Sequence, residues 1–280
     1  MFRILALMFC FFVFSFGGVL DPVIVNPATQ EGLNEIANQL DGDLSVFKRI
    51  KKAAVVEFTV CYQNSYQDDR TDEMTYSYED PALYQAASNV LYNTFIEKLK
   101  TAGIEIIAPD KLVADENFNK LAGNESETLV WYSRQNKMDV KFLMMPAGGF
   151  KATGGGVGAF GMGEVGNAMA QRGNQDIYNE INKSLGTDAV ITVHLMLGFD
   201  RYFKLGISAN RNNTPNDAIK VDLFDIYTKD NNTYKINLKR SFSTAETSNV
   251  KNEEVNMEQY ANQMNQLFGN LMDAIIIRIK

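Results

Sequence analysis

The chain has 280 residues, 45% hydrophobic and 22% charged, which excludes a disordered chain, a collagen-like repeat and a disulfide-rich miniprotein. Its formal charge of −7 and pI near 4.9 exclude a nucleic-acid partner held by a broad basic face. One His and two Cys leave little material for a zinc site, and any catalytic triad would depend on His194.

Residues 1–17, MFRILALMFCFFVFSFG, read as an export signal. Arg3 is a short positive leader, Ile4–Phe16 is almost wholly apolar, and Ser15 and Gly17 place small residues before a cleavage point. An uncut anchor over Ile4–Val23 is the alternative, interrupted at its end by Gly17, Gly18, Asp21 and Pro22. Cys10 follows Met8 and Phe9 rather than the small residues of a lipoprotein signal. Cleavage after Gly17 would leave 263 residues, a formal charge of −8 and Cys61 as the sole thiol. An exported chain with one Cys has no internal disulfide and relies on its core. Cys61 closes the apolar run Ala53–Val60, so it reads as a buried, inert strand residue.

Residues 18–47 read as an N-terminal arm, carrying Pro22, Pro27, Gly32 and Gly42 and one short helix around Gly32–Leu40. Residues 48–280 read as a single α/β domain. Lys51–Cys61, flanked by Lys48, Arg49, Lys51 and Lys52, has the apolar run of a buried strand. Residues 62–80 are polar, acidic and Tyr-rich, and read as a long connection. Asp80-Pro81 then signals a helix start. Leu83, Ala87, Val90, Leu91, Phe95 and Leu99 recur at helical spacing up to Gly103.

Ile104–Ala108 is a short apolar strand closed by Pro109, followed by predicted helices at 111–122 and 125–136 and a strand at Val140–Met145. Residues 147–166 form an insertion with nine glycines among twenty positions. A helix is predicted over Asn174–Leu185, with Ile177, Tyr178, Ile181 and Leu185 on one face, and a strand over Ala189–Leu197. Strands at Phe203–Ala209, Ala218–Tyr227 and Thr233–Ser243 follow, the last two joined by the turn Lys229–Asn232. A long amphipathic helix from Met257 to Ile279 closes the chain. Alternating strands and helices followed by antiparallel strands imply an α/β fold: a mixed sheet covered by helices, with a C-terminal hairpin region.

The strand KAAVVEFTV (Lys52–Val60), the helix ending LYNTFIEKLKTAG and the strand IEIIAPDKL resemble the opening of CsgG-like and TolB N-terminal-domain-like envelope proteins. Leu185-Gly186-Thr187-Asp188-Ala189-Val190-Ile191-Thr192-Val193 is similar to the L-G-A-D-hydrophobic lead into a later strand of those domains. The resemblance covers residues 48–280. It implies a periplasmic or outer-membrane-associated assembly or regulatory domain, with no catalytic residues to carry over.

Several motifs reduce to plainer readings. Gly156-Val157-Gly158-Ala159-Phe160-Gly161 fits G-x-G-x-x-G. Phosphate binding needs it directly between strand and helix, and Pro146 ends the strand ten residues earlier. No cofactor is expected. Strand alternation places His194 with Thr192 and Met196, a structural position without a Ser or Cys motif beside it. Asp68-Asp69-Arg70-Thr71-Asp72-Glu73 lacks the spaced ligands of a calcium loop, and no metal site is expected. Asn124, Asn182, Asn212 and Asn231 begin N-x-[ST] triplets, as an Asn-rich chain produces by chance.

Two segments are left as candidates for contact. Tyr76 and Tyr78 lie in the acidic connection, and Tyr is favoured at interfaces. Val157, Phe160, Met162 and Val165 are apolar side chains in the glycine-rich insertion, which a purely entropic linker would not need. The expected function is therefore non-enzymatic: an exported envelope protein that contacts other envelope proteins, its own copies or a membrane surface. The alternatives are a ligand-binding or hydrolytic enzyme using loops 62–80 and 147–166, or a membrane-associated pore subunit.

Overall fold

The spine of the molecule is the apolar run that begins at Lys52, in a computed structural model that describes residues 23–25, 29–68, 71–75, 81–121, 128–133, 139–152, 164–198, 202–205, 221–239, 242–247 and 257–280. In chain order the first elements are β1 (Val23–Val25), α1 (Gln30–Gln39), β2 (Leu40–Asp41), α2 (Val46–Arg49), β3 (Lys52–Asp68) and β4 (Thr71–Thr75). Next come α3 (Pro81–Thr101), β5 (Glu105–Ile106), α4 (Pro109–Val113), α5 (Glu116–Asn119), β6 (Thr128–Ser133) and β7 (Asp139–Pro146). The chain ends with α6 (Glu164–Leu185), β8 (Ala189–Gly198), β9 (Tyr202–Leu205), β10 (Val221–Thr228), β11 (Thr233–Leu238), β12 (Phe242–Thr247) and α7 (Met257–Ile279).

All the described strands join one mixed sheet. β3 and β8 run parallel at its centre, from Ala53 opposite Ala189 to Tyr62 opposite Leu197. β8 continues antiparallel to β10, then β11 and the short β2. The other edge of β3 takes β5 in parallel and then β7 antiparallel, with β6 outside β7. The far end of β8 meets β9, which leads to β12 and β1. The class expected from sequence, a mixed sheet covered by helices with a closing C-terminal helix, is the architecture observed.

Strand alternation gives the sheet two unlike faces. On one, Phe58 of β3 and Phe224 of β10 meet Phe95 of α3 at 5.9 and 5.4 Å between ring centres. Phe268 of α7 closes the group at 6.2 Å from Phe58. Lys98–Asp273 and Thr94–Asn265 hydrogen bonds, each 2.6 Å, clip α3 to α7. The apolar stripe of α7 faces the core as its spacing predicts, with Met264, Leu267, Leu271, Met272 and Ile275 buried.

Elsewhere the structure differs from the sequence reading. The stretch read as an arm contributes Ile36, Ala37, Leu40, Val46 and Phe47 to the core. Gly42 (φ +109°) permits its close turn, because a Cβ there would strike the carbonyl of Lys235. The connection expected at 62–80 is in part a continuation of the sheet. β3 extends to Asp68 and pairs with β4, and Tyr62 is buried against Tyr84 at 4.9 Å. The helices expected at 111–122 and 125–136 are the short α4 and α5 and then strand β6, where Val130, Trp131 and Tyr132 favour strand. α6 begins ten residues before its predicted start, despite Gly166 and Gly173. The single strand expected over Thr233–Ser243 divides into β11 and β12, which pair with different neighbours.

Candidate functional site

Tyr76 and Tyr78 lie outside the described residues, as do Val157, Phe160 and Met162; Val165 falls on α6. The described flanks of both segments meet at α3. Pro81 opens that helix directly after residues 76–80, and Leu83, Ala86 and Val90 form an exposed stripe at three- and four-residue spacing. Leu83 is 48% exposed and Val90 40%, while Tyr84, Ala87, Leu91 and Phe95 face the core. Beside the stripe, Gln85 Nε2 donates to the Pro146 carbonyl (2.6 Å) and Asn89 Oδ1 accepts from the Gly148 N–H (2.7 Å). Ala147, Phe150 and Ala152 are buried, and Phe150 meets Tyr92 at 5.0 Å. The opening residues of the glycine-rich insertion are therefore packed on α3, and its last three belong to α6.

The opposite face of the sheet holds a buried polar row. A bulge at Val56 shifts the register from Val55 opposite Ile191 to Glu57 opposite Thr192, aiming Glu57 away from the aromatic core. Thr192 also lies opposite Asp225 of β10, so two carboxylates flank one hydroxyl across three strands. Thr59 Oγ1 donates to Glu57 Oε1 (3.1 Å), and His194 Nδ1 lies 3.8 Å from the same oxygen. Tyr227 OH donates to Asp225 Oδ2 (3.4 Å), and Lys235 Nζ approaches that oxygen at 3.6 Å.

Glu57, Thr192, His194 and Asp225 are each no more than 5% exposed. Thr192 Oγ1, His194 Nδ1 and Asp225 Oδ1 have no hydrogen-bond partner. Burial pushes the Tyr227 hydroxyl well above its usual range, with the charge of Asp225 adding to it. Burial, aided by Glu57, pushes the Cys61 thiol to about 12, so it stays protonated and non-nucleophilic at neutral pH.

His194 shares the face with Thr192 as alternation predicts. Glu57 and Asp225 escaped the sequence reading, though an acid inside each apolar run, AAVVEFTVC and VDLFDIYT, was the available signal. The row offers acceptors to a cationic or hydrogen-bond-donating group. Among the described residues, no group of three His, Cys, Asp or Glu side chains is placed to hold a metal. No helix among them is long and apolar enough to cross a membrane.

The segment Leu185–Asp188 has a clear structural task. Gly186 takes φ +61° after the end of α6. The Asp188 carboxylate accepts from the backbone N–H groups of Lys51 (3.0 Å) and Lys52 (3.1 Å) and pairs with Lys229 at 2.7 Å. It thereby ties the starts of β3 and β8 together. Fold and surface define, among the described residues, a single-sheet α/β protein with an exposed apolar stripe on α3. In comparisons with known proteins, no family model, curated protein or solved structure matches the chain.

Proposed function

We propose that this is an exported protein of a bacterial envelope that works by contact with other proteins, in assembly, secretion or regulation, and not by catalysis. The observation that carries the reading is the exposed stripe Leu83, Ala86 and Val90 on α3. It begins directly after the segment holding Tyr76 and Tyr78, beside the packed start of the glycine-rich insertion. Two exposed large apolar side chains, Leu83 and Val90, aligned on one helix face with Ala86 between them, suit a partner surface. The CsgG-like resemblance points the same way, and the fixed positions of Gly186 and Asp188 give its L-G-T-D segment a physical reason to be there. Residues 1–17 supply the route of export.

Replacing both Leu83 and Val90 by Asp should leave the melting temperature within a few degrees of the parent, since both side chains already meet water. The same variant should lose association, read as captured envelope proteins in a pull-down and as oligomers in native mass measurement. Unchanged association would sink the α3 surface. N-terminal sequencing of the protein from its native envelope should begin near Gly18, and an intact Met1 in the membrane fraction would favour the anchor.

A further inference from the structure

The greater part of α3 carries no charge. From Pro81 to Ile96 it has no Asp, Glu, Lys or Arg, in a chain that is 22% charged. Its charged residues begin at Glu97 and Lys98, and Lys98 is taken up by Asp273 of α7. Helices ordinarily turn charged and polar groups to water. Here the outward stripe is Leu83, Ala86 and Val90, while the neighbouring amides Gln85 and Asn89 are engaged by the Pro146 carbonyl and the Gly148 N–H. Gly148 and Gly149 are exposed beside Asn89, so no side chain rises on that flank of the stripe.

The lack of charge selects the occupant. A charged surface docking here would lose its hydration and find no counter-charge in return. The matching surface is therefore uncharged, with two large apolar groups about 10 Å apart, seven residues along a helix, and a small residue between them. This chain's own stripe has that form. From either end it runs large, small, large, about a midpoint between Ala86 and Ala87. With two copies antiparallel about a two-fold axis there, Leu83 of one meets Val90 of the other, and symmetry supplies the reverse pair. The two Ala86 side chains then face each other across the axis. Their small size lets the helices approach to the lower end of the usual range of about 8–10 Å.

We propose that α3 docks on α3 of a second copy of this chain, antiparallel, about a two-fold axis at Ala86–Ala87. The inference rests on the reading of α3 as a contact surface and names its occupant. A contact centred on one helix pair is small, so the dimer exchanges readily with monomer.

Disulfide trapping in the full chain tests the arrangement, in a Cys10→Ser background where the buried Cys61 is the only other thiol. Ala86→Cys should oxidise to a linked dimer at least about tenfold faster than Leu83→Cys or Val90→Cys alone, because only residues near the axis bring their own copies within bridging distance. A mixture of Leu83→Cys and Val90→Cys chains should give the linked heterodimer. Sedimentation at up to about 200 µM should show a dimer of the parent, and Ala86→Arg, which sets like charges at the axis, should weaken it at least about a hundredfold. A monomeric parent, a dimer that tolerates Ala86→Arg, or self-linking of Leu83→Cys as fast as Ala86→Cys would overturn the proposal. If the parent is monomeric and the Leu83→Asp, Val90→Asp double variant still loses captured envelope proteins, this inference falls and the α3 contact reading stands. If that double variant loses neither dimer nor capture, both fall.

Discussion

Along the same strands, one residue apart, the sheet carries two kinds of interior. Val193 points toward the face where Phe58, Phe95, Phe224 and Phe268 meet ring to ring. Thr192 points the other way, between two buried carboxylates. Strand alternation alone produces this division, and the bulge at Val56 completes it by turning Glu57 out of the aromatic face. The first face is filled by large side chains, whose stabilisation follows buried apolar area. The second includes buried polar atoms that gain little unless partnered, and three have no partner. One side of the sheet is thereby filled for stability, and the other holds a buried polar row.

The largest expected effect lies on the aromatic face. Phe58→Ala should lower stability by about 3–5 kcal/mol, and Leu271→Ala or Ile275→Ala on α7 by about 2–5 kcal/mol, read from denaturant unfolding. An unchanged midpoint and slope for any of them would break the contrast by showing that face to be loosely filled.

Asp188→Asn should have a smaller effect, about 1–2 kcal/mol, through weakened bonds to Lys229, Lys51 and Lys52. Its pH dependence has a defined sign. The hydrogen bond from Lys229, helped by the Lys51 and Lys52 N–H groups, holds the Asp188 carboxyl below its usual value of 3.8. That contribution is present in full above the ordinary carboxylate range and disappears as pH falls through the lowered value. Parent and Asp188→Asn stabilities should therefore converge in acid, and a constant gap down to about pH 2 would show that Asp188 acts through shape alone.

The smallest effect is chemical. With its thiol pushed to about 12 from an ordinary 9.0, Cys61 carries on the order of a thousandfold less thiolate at pH 8 than a free Cys. A disulfide reagent should label it far more slowly in the folded protein than in denaturant. Rapid labelling of the folded chain would place Cys61 in an open part of the polar face.

The long elements were legible because their patterns repeat. α3 and α7 carry apolar residues every three or four positions, and β3 and β8 are continuous apolar runs. The N-terminal packing was not legible, since Ile36, Leu40, Val46 and Phe47 become core only by meeting α7 and the far strands. The first half of α6 was missed because Gly166 and Gly173 disfavour helix, whereas β6 was missed although Val130, Trp131 and Tyr132 favour strand. At the site, the sequence pointed to segments around Tyr76 and Phe160, whereas the described surface nearby is the α3 stripe. The polar row depends on a register shift, and a bulge leaves no mark in periodicity.

Val193 and Thr192 permit the most direct test, because they are neighbours in β8 and differ in face. Chemical denaturation should show Val193→Thr destabilised by about 1–3 kcal/mol, as a hydroxyl is forced into the aromatic face. Thr192→Val should leave stability unchanged or raise it, since the hydroxyl removed has no partner. A loss above about 1 kcal/mol for Thr192→Val, with Val193→Thr neutral, would contradict the division of the sheet into an apolar face that stabilises and a polar face that adds little stability.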